Sequence, residues 1–337
     1  MLEAKPTRGE IAPRHAKPPK AAPPAEQSAV AHWMEPLVEA LDRTVVQSTH
    51  RDPFQRDPEF VREILPVLKA WTLYFGAEVR GWENLPAAGP YLVIGNHSGG
   101  AETNDAAFFA ARWVEEKGPE APLYGLAYDL LFAYPVVGKL LPRLGMLPAS
   151  PENAREALAR GAVVLDFPGG DYEVFRPWTH RNRIEFGGRK GFIKIALEIG
   201  VPVVPMTIHG AHQSTFVLTR GRTLAHRLGL ERLRIKVFPL IWNIPFGLTP
   251  AYVPSLQLPA KVTVQLGEPL DWSRYGPAAA DDPHVLERCY QEITRVMQYT
   301  LDDLAREHPH PVLARLDELR PINLFRRFLG SRKAESG

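Results

Sequence analysis

One strand–turn–helix pattern in the first third of the chain constrains the fold most tightly. The apolar run at 91–94 predicts a short buried strand. The sequence Asn-His-Ser-Gly-Gly at 96–100 predicts a flexible turn, and Asn104 and Asp105 open an apolar helix as capping residues do. Functional sites in α/β proteins are usually built where strands end, which makes His97 the first candidate for a site.

His97 followed by an acid suits general-base chemistry on a hydroxyl group. Two acids are available, Glu102 and Asp105. We favour Asp105, because Gly99 and Gly100 allow a longer loop to fold back. A histidine that only hydrogen-bonds at a turn and an aspartate that only caps the helix are the alternatives. Capping by Asp105 does not exclude pairing with His97.

Composition excludes several classes of protein. With 337 residues and a net charge of +2, the chain can bury a sizeable core and shows no bias towards nucleic acid. The basic residues are scattered, apart from the two termini. The single cysteine, Cys289, excludes an intrachain disulfide, fits a reducing cytosol and is predicted to pack within a helix. We find no signal peptide and no run near the roughly 20 apolar residues of a spanning helix, so membrane contact is expected to be peripheral.

The chain divides into four predicted segments that differ in composition. The first is a basic, proline- and alanine-rich arm, expected to be disordered and either solvated or tethered to a membrane. The second contains amphipathic helices at 29–48 and 57–74, which either pack or form a lid on a bilayer. The last is a basic amphipathic tail that either lies on anionic lipid or docks on the core. The boundaries are 1–25 for the arm, 26–75 for the helices, 76–310 for the main domain and 311–337 for the tail.

Strand and helix signals alternate through the main domain, which predicts an α/β fold with a mixed, largely parallel central sheet flanked by helices. The predicted helices are 151–160, 189–199 and 282–306. The predicted strands are 78–82, 91–94, 123–127, one from 163 to the turn at 169, 201–206 and 261–266.

Two apolar segments interrupted by proline are ambiguous. The first, 130–146, is either a buried, kinked helix or part of the second of four sequence blocks whose resemblance to a known family is described below. The second, 235–259, contains five prolines and is either a packed loop or an interfacial surface with Trp242, Phe246 and Tyr252.

A second turn carries candidate binding groups. The strand from Val163 ends in Phe167-Pro168-Gly169-Gly170, where glycines let backbone N–H groups approach a ligand oxygen closely. These N–H groups, or those of the turn after His97, are candidates to hold an oxyanion. Arg176 could meet a phosphate, with a surface ion pair as the alternative.

Metal and nucleotide cofactors are not indicated. His209 and His212 lie three residues apart, whereas zinc-binding pairs on a helix are typically four apart, and no pair of cysteines supports them. A position lining the cleft is possible for both, and core packing is favoured. No Walker or Gly-x-Gly-x-x-Gly pattern occurs.

Four blocks, taken together, resemble the PlsC-like glycerolipid acyltransferase superfamily. They are Asn96-His97 with its acid, 132–138, 167–170 and 201–206, in the order the family has them. The resemblance implies that the second block, 132–138, lines the acceptor side of the site. In that family the acid usually lies five residues after the histidine, where this chain has Glu102. The third block is usually Phe-Pro-Glu-Gly. Here glycine replaces that glutamate, and with Glu173 three residues on the block resembles branches that use neutral acceptors. The resemblance covers about 78–269.

The resemblance implies an O-acyltransferase that moves a fatty acyl group from acyl-CoA or acyl carrier protein to a hydroxyl of a glycerolipid or related lipid alcohol. The thioester is a donor substrate, and no cofactor is implied. His97 would be the general base and Asp105 its partner. The expected substrate contacts are Asn96, Glu102, Phe167, Pro168, Gly169, Gly170, Glu173 and Arg176. The protein is expected in the cytoplasm, on the inner face of the membrane, without nucleic acid. A hydrolase and a non-catalytic lipid-binding protein are the alternatives.

Overall fold

The structure is a computed structural model that describes residues 52–320, except 99–103, 135, 229–236, 245 and 252–256. The predicted basic arm, the helix at 29–48 and the segment at 322–329 of the tail therefore lie outside the described residues. So do Glu102 and Tyr252.

Nine helices and ten strands are assigned in the described ranges, besides short 3-10 turns. The helices are α1 (Pro58–Phe75), α2 (Asn104–Lys117), α3 (Val137–Arg143), α4 (Pro151–Ala159), α5 (Gly170–Val174), α6 (Gly191–Ile199), α7 (Arg222–Arg227), α8 (Pro283–Glu307) and α9 (Pro311–Glu318). The strands are β1 (Glu78–Arg80), β2 (Tyr91–Gly95), β3 (Leu123–Ala127), β4 (Met146–Pro148), β5 (Val163–Asp166), β6 (Val203–His209), β7 (Phe216–Thr219), β8 (Leu240–Asn243), β9 (Gly247–Pro250) and β10 (Thr263–Leu266).

The main sheet has seven strands in the order β1-β10-β6-β2-β5-β3-β4. The run from β6 to β4 is parallel, while β10 is antiparallel to β6 and β1 is parallel to β10. The predicted mixed, largely parallel α/β sheet is confirmed. Strand β2 lies between β5 and β6, with Ile94 opposite Asp166 and Gly95 opposite Met206. The carboxyl ends of these three strands therefore meet at the centre of one edge.

Alternate side chains of the sheet feed two apolar cores, one on each face. Leu92 and Ile94 join α4, α6 and α8 in one core. Val93 packs in the other core with Phe75 of α1 and Phe109 of α2. Strand β2 is buried along its whole length, as expected for the middle of a parallel sheet covered on both faces.

Several helix boundaries follow the local signals in the sequence. Asp57 and Ser150 cap α1 and α4 through side-chain oxygens, and a proline follows each cap. Asp282 caps α8 in the same way, and Gly200 ends α6 in the left-handed conformation. Cys289 is buried on α8, so the predicted packing role is confirmed. None of the helices in the described ranges is both long and apolar enough to span a bilayer.

The two proline-interrupted segments differ from the simplest expectations. The segment 130–146 is not a buried, kinked helix, because a 3-10 turn at Asp129–Ala133 and α3 are separate and Tyr134 and Val136 are exposed. The segment 235–259 is not only loop, because β8 and β9 lie within it. They pair antiparallel with each other and with β7 in a three-stranded sheet.

Candidate active site

His97 lies two residues beyond β2, at the central edge of the main sheet. Its Nδ1 is 3.0 Å from Oδ2 of Asp105, so the structure brings the two predicted partners together. Because a carboxylate only accepts hydrogen bonds, Nδ1 must carry the proton in this contact. The neutral ring then has an unprotonated Nε2, the form needed to take a proton from a hydroxyl group.

Asp105 is fully buried in the first turn of α2, one residue after the helix begins at Asn104. It is therefore not a simple N-cap. The oxygen that meets His97 also accepts the Ser98 N–H at 2.8 Å, and the other oxygen accepts the Ala106 N–H at 2.9 Å. One carboxylate thus fixes the histidine ring and the backbone that follows it.

The ring of Phe167 covers one face of His97. The two ring centroids are 4.4 Å apart and the planes differ by 12°. This stack requires a glycine at position 95, because a Cβ there would lie 2.5 Å from Cε1 of Phe167. The first and third blocks of the sequence are therefore in contact through His97 and Phe167. The stacked Phe167 ring fixes the plane of the imidazole and shields one face of it with apolar atoms.

The backbone of His97 is held from the opposite direction by two buried charged residues. Glu173 Oε2 accepts the His97 N–H at 2.9 Å, and Oε1 accepts the N–H of Glu185 at 2.9 Å. Arg176 donates through Nη1 to the His97 carbonyl and to the carbonyl of Glu173. It donates through Nε and Nη2 to the carbonyl of Arg181. Both side chains are fully buried. They act as positioning groups for His97 rather than as exposed contacts.

Burial perturbs the titration of both groups. It raises the pKa of Glu173 to about 7, against the opposing effect of Arg176. It also lowers the pKa of the Arg176 guanidinium below its usual range. The alternative of a surface ion pair for Arg176 is wrong, because this side chain is 0% exposed and binds backbone carbonyls.

Asn96 fastens the end of β2 to β6. Its Nδ2 donates to the Ile208 carbonyl at 3.0 Å, and its Oδ1 accepts the Ile208 N–H at 2.7 Å. The side chain is buried, so these bonds give it a structural position beside His97 rather than one facing a ligand. These two hydrogen bonds join the ends of β2 and β6 and thereby fix the position of His97.

His209, the last residue of β6, and His212, three residues further on, form a buried polar layer behind the site. The His212 N–H donates to Oγ of Ser98 at 2.8 Å, and His212 Nε2 is 3.0 Å from the Arg176 carbonyl. Burial lowers the pKa of His212 well below its usual value and that of His209 to about 4. Both rings are therefore neutral near pH 7 and support the loop around His97.

The turn of the third block is packed against its neighbours. A Cβ on Gly169 would lie 2.3 Å from Oε2 of Glu173, so only glycine fits beside that carboxylate. The Gly170 N–H already donates to the Phe167 carbonyl at 3.0 Å. Arg189 donates to the carbonyls of Pro168 and Gly169 at 3.1 and 2.8 Å. The oxyanion donors expected in this turn remain a prediction, and the other expected source, 99–103, lies outside the described residues.

Asp166 is a residue of the site that the sequence reasoning missed. It ends β5 directly before Phe167 and is partly buried. Burial raises its pKa to about 6, and interaction with His97 opposes that rise. An acid that closes an apolar strand just before a glycine turn was the signal available in the sequence. The edge thus carries a third carboxyl group close to the candidate base.

Comparison with known proteins shows the family to which the chain is similar. The family model described as Acyltransferase matches residues 76–209. An uncharacterized protein of Mycobacterium tuberculosis is 33% identical over 256 residues, covering 74% of this chain and 68% of that protein. The human protein named DGAT1/2-independent enzyme synthesizing storage lipids is 26% identical over 246 residues, covering 73% of this chain and 67% of its own.

A solved structure, that of the 1-acyl-sn-glycerophosphate acyltransferase PlsC from Thermotoga maritima, is 20% identical with a TM-score of 0.46. The match covers 82% of this chain and 93% of the chain in that structure.

The matched region, 76–209, spans β1 to the end of β6 and so includes every strand whose carboxyl end builds the edge around His97. The chain belongs to the PlsC-like acyltransferase family.

Proposed function

We propose that the protein transfers a fatty acyl group from acyl-CoA or acyl carrier protein to a hydroxyl of a glycerolipid or related lipid alcohol. His97 Nε2 takes the hydroxyl proton while the oxygen attacks the thioester carbonyl. The C–S bond then breaks, and the imidazolium returns the proton to the leaving thiolate. Donor and acceptor react directly, so the protein supplies no nucleophile of its own.

The contact between His97 Nδ1 and Asp105 Oδ2, 3.0 Å long, carries this proposal. It selects the tautomer with a free Nε2 and stabilises the imidazolium that forms during attack. Asp105 is completely buried, whereas the His97 side chain is 13% exposed, which gives the ring a path to substrate. The stacked ring of Phe167 and the hydrogen bonds to the His97 backbone limit other orientations.

A neutral lipid alcohol is the acceptor that we favour. In the third block, glycine stands where the family usually has glutamate, and Arg176 is buried against carbonyls instead of being available to a phosphate. A relative is named for the synthesis of storage lipids. We also propose that the protein works on the cytoplasmic face of a membrane as a peripheral protein, since its thioester donors are cytoplasmic and its acceptor is a lipid.

Mass spectrometry of the products tests this proposal. Purified wild type, His97→Ala and the exposed-histidine control His284→Ala are incubated with acyl-CoA or acylated carrier protein. Diacylglycerol, a long-chain alcohol, lysophosphatidate and glycerol phosphate are supplied separately as acceptors. We expect a product of acceptor plus acyl mass with a neutral acceptor. In His97→Ala its rate should fall by about 10²–10⁴-fold, while His284→Ala keeps the wild-type rate.

Three results would contradict parts of the proposal. Equal rates in His97→Ala and wild type would exclude His97 as the base. Thioester cleavage that proceeds at full rate without acceptor would favour the hydrolase. Acylation of lysophosphatidate in preference to every neutral acceptor would overturn the acceptor class while leaving the reaction in place.

A further inference from the structure

The three-stranded sheet presents apolar side chains on both of its faces. Its inner face covers a small core in which Val217 of β7 and Ile241 of β8 pack with Phe175. An antiparallel sheet with one buried face normally turns polar side chains outward. Here the outward positions are also apolar, so this face needs another partner.

The outward row runs across all three strands. Phe216, Trp242 and Leu248 are cross-strand neighbours, because Phe216 is opposite Trp242 and Trp242 is opposite Leu248. Their residues are 41%, 59% and 55% exposed, and Phe246 in the turn between β8 and β9 is 66% exposed. Leu218, further along β7, is 46% exposed. Single exposed apolar residues are ordinary, whereas a contiguous row of them marks an interaction surface.

The charge of the segment that follows β7 in the chain indicates what covers this row. The connection between β7 and β8 is an internal segment rich in basic residues. Between 220 and 236 the sequence has six arginine or lysine residues and one glutamate. Arg222 and Arg227, on α7 within this connection, are exposed. Such a charge attracts an anionic surface. The same charge would repel itself across a two-fold contact between copies, in which each patch meets its own equivalent.

We infer that the outer face of the three-stranded sheet is the membrane-docking surface, with Phe216, Leu218, Trp242, Phe246 and Leu248 entering the interface of an anionic bilayer. Tryptophan and phenylalanine are the side chains that such interfaces favour. The exposed Arg222 and Arg227 of α7, the helix that follows β7 in the chain, would face lipid phosphates. This inference specifies which surface of the proposed peripheral enzyme contacts the lipid bilayer. The role of that surface in catalysis rests on the proposed function, whereas the membrane binding itself does not.

A cleft of about 370 Å³ opens at the edge of the same face. Phe216, Trp242 and Ile244 belong both to its wall and to the exposed surface of the sheet. The aromatic ring of Trp178 lies 5.0 Å from that of Phe216, and Gln213 lines the inner part. Gln213 Nε2 is 3.1 Å from Nε2 of His209, which belongs to the buried polar layer behind the candidate site. A lipid alkyl chain that leaves the bilayer at this cleft would contact apolar side chains rather than water.

Sedimentation with vesicles tests the surface. The full-length chain is mixed with vesicles of phosphatidylcholine alone or with phosphatidylglycerol added. Phe246→Ser/Leu248→Ser changes two exposed residues of the face that do not line the cleft. Tyr299→Ser/Leu316→Ser is the matched control, since these residues are 69% and 43% exposed on α8 and α9. We expect the first variant to bind phosphatidylglycerol vesicles at least about 10-fold more weakly than wild type, and the control to bind normally.

Activity separates this inference from the proposed function. Transfer to a short-chain, water-soluble alcohol should be the same in Phe246→Ser/Leu248→Ser and wild type, while transfer to an acceptor embedded in vesicles should fall. Absence of transfer by wild type to both acceptors would count against the function, and the sedimentation result would still decide the surface. Equal vesicle binding by the variant and wild type overturns the inference. So does a wild-type dimer in light scattering that the variant converts to a monomer without loss of vesicle binding.

Discussion

The two sheets of this molecule differ in which side chains they bury: one buries polar groups at its edge, and the other exposes apolar groups on its face. At the carboxyl edge of the seven-stranded sheet, buried charged and polar side chains fix His97 through its ring and through its backbone. The outer face of the three-stranded sheet has an exposed apolar row across its strands instead. The difference indicates that the two regions have different roles. The first depends on the exact position of the His97 ring, and the second depends on exposed apolar area and on charge. Substitutions should therefore cost catalysis and stability at the edge, and only membrane binding at the small sheet.

The largest expected effect is on catalysis, in Asp105→Asn. The amide keeps the shape of the carboxylate but no longer selects the tautomer with a free Nε2 or stabilises the imidazolium. We expect kcat to fall by about 10²–10⁴-fold with the fold retained. Initial rates with the best acceptor and circular dichroism measure the two quantities.

Asp281→Asn serves as the control, because Asp281 pairs with Lys194 at the exposed surface. A kcat for Asp105→Asn within a few-fold of that control would mean that His97 does not need its buried partner.

The second effect is on stability, in Arg176→Met. Methionine fills part of the volume but leaves the carbonyls of His97 and Arg181 without this donor, while the Glu173 carbonyl keeps the backbone N–H of residue 176. Each carbonyl left unsatisfied costs about 1–3 kcal/mol, so the free energy of unfolding should fall by about 2 kcal/mol or more. Urea unfolding measures this loss.

Phe246→Ser/Leu248→Ser is the comparison from the small sheet and should change the free energy of unfolding by less than about 1 kcal/mol, because both side chains are exposed. Equal losses in the two variants would remove the distinction between the regions.

How far the sequence alone predicts these regions depends on the range of the interactions. The strand, turn and helix around His97 follow from local signals: an apolar run, a glycine-rich turn and a helix start. The caps at Asp57 and Ser150 are local in the same way, since each lies directly before the helix that it caps. The choice of Asp105 over Glu102 needed only the length and flexibility of one loop.

The remaining features depend on residues distant in sequence. Asn96 binds Ile208, 112 positions away, and Arg176 binds the carbonyl of His97, 79 positions away. No local pattern distinguishes such a buried arginine from one in a surface ion pair. Strands β8 and β9 were missed for a related reason, since prolines interrupt their apolar pattern and only pairing with β7 defines them.

The third effect concerns membrane affinity alone. Arg222→Ser/Arg227→Ser removes two exposed charges of α7. Each basic residue near an anionic surface contributes about 1 kcal/mol, so affinity for phosphatidylglycerol vesicles should fall by about 5-fold per residue. Affinity for phosphatidylcholine vesicles, kcat on a soluble acceptor and stability should not change.

Arg288→Ser, an exposed arginine of α8, is the control for this charge effect. A similar loss of affinity per residue in that variant would show that net charge, and not the position of α7 directly after β7, attracts the protein to the vesicles.

The smallest effect distinguishes Asp166 from the other carboxylates of the edge. Its pKa is raised by burial to about 6, so the group is largely ionised at pH 7, and its charge then favours the protonated form of His97. Asp166→Asn removes that charge, which makes His97 easier to deprotonate. The acidic limb of the pH profile of kcat/KM should therefore move to lower pH, by less than about one unit. Asp281→Asn is the control and should leave the acidic limb in place.

A shift of the limb to higher pH in Asp166→Asn would mean that Asp166 acts in its neutral form as a hydrogen-bond donor to substrate. The absence of a shift would mean that, among these carboxylates, only Asp105 and Glu173 influence the protonation of His97.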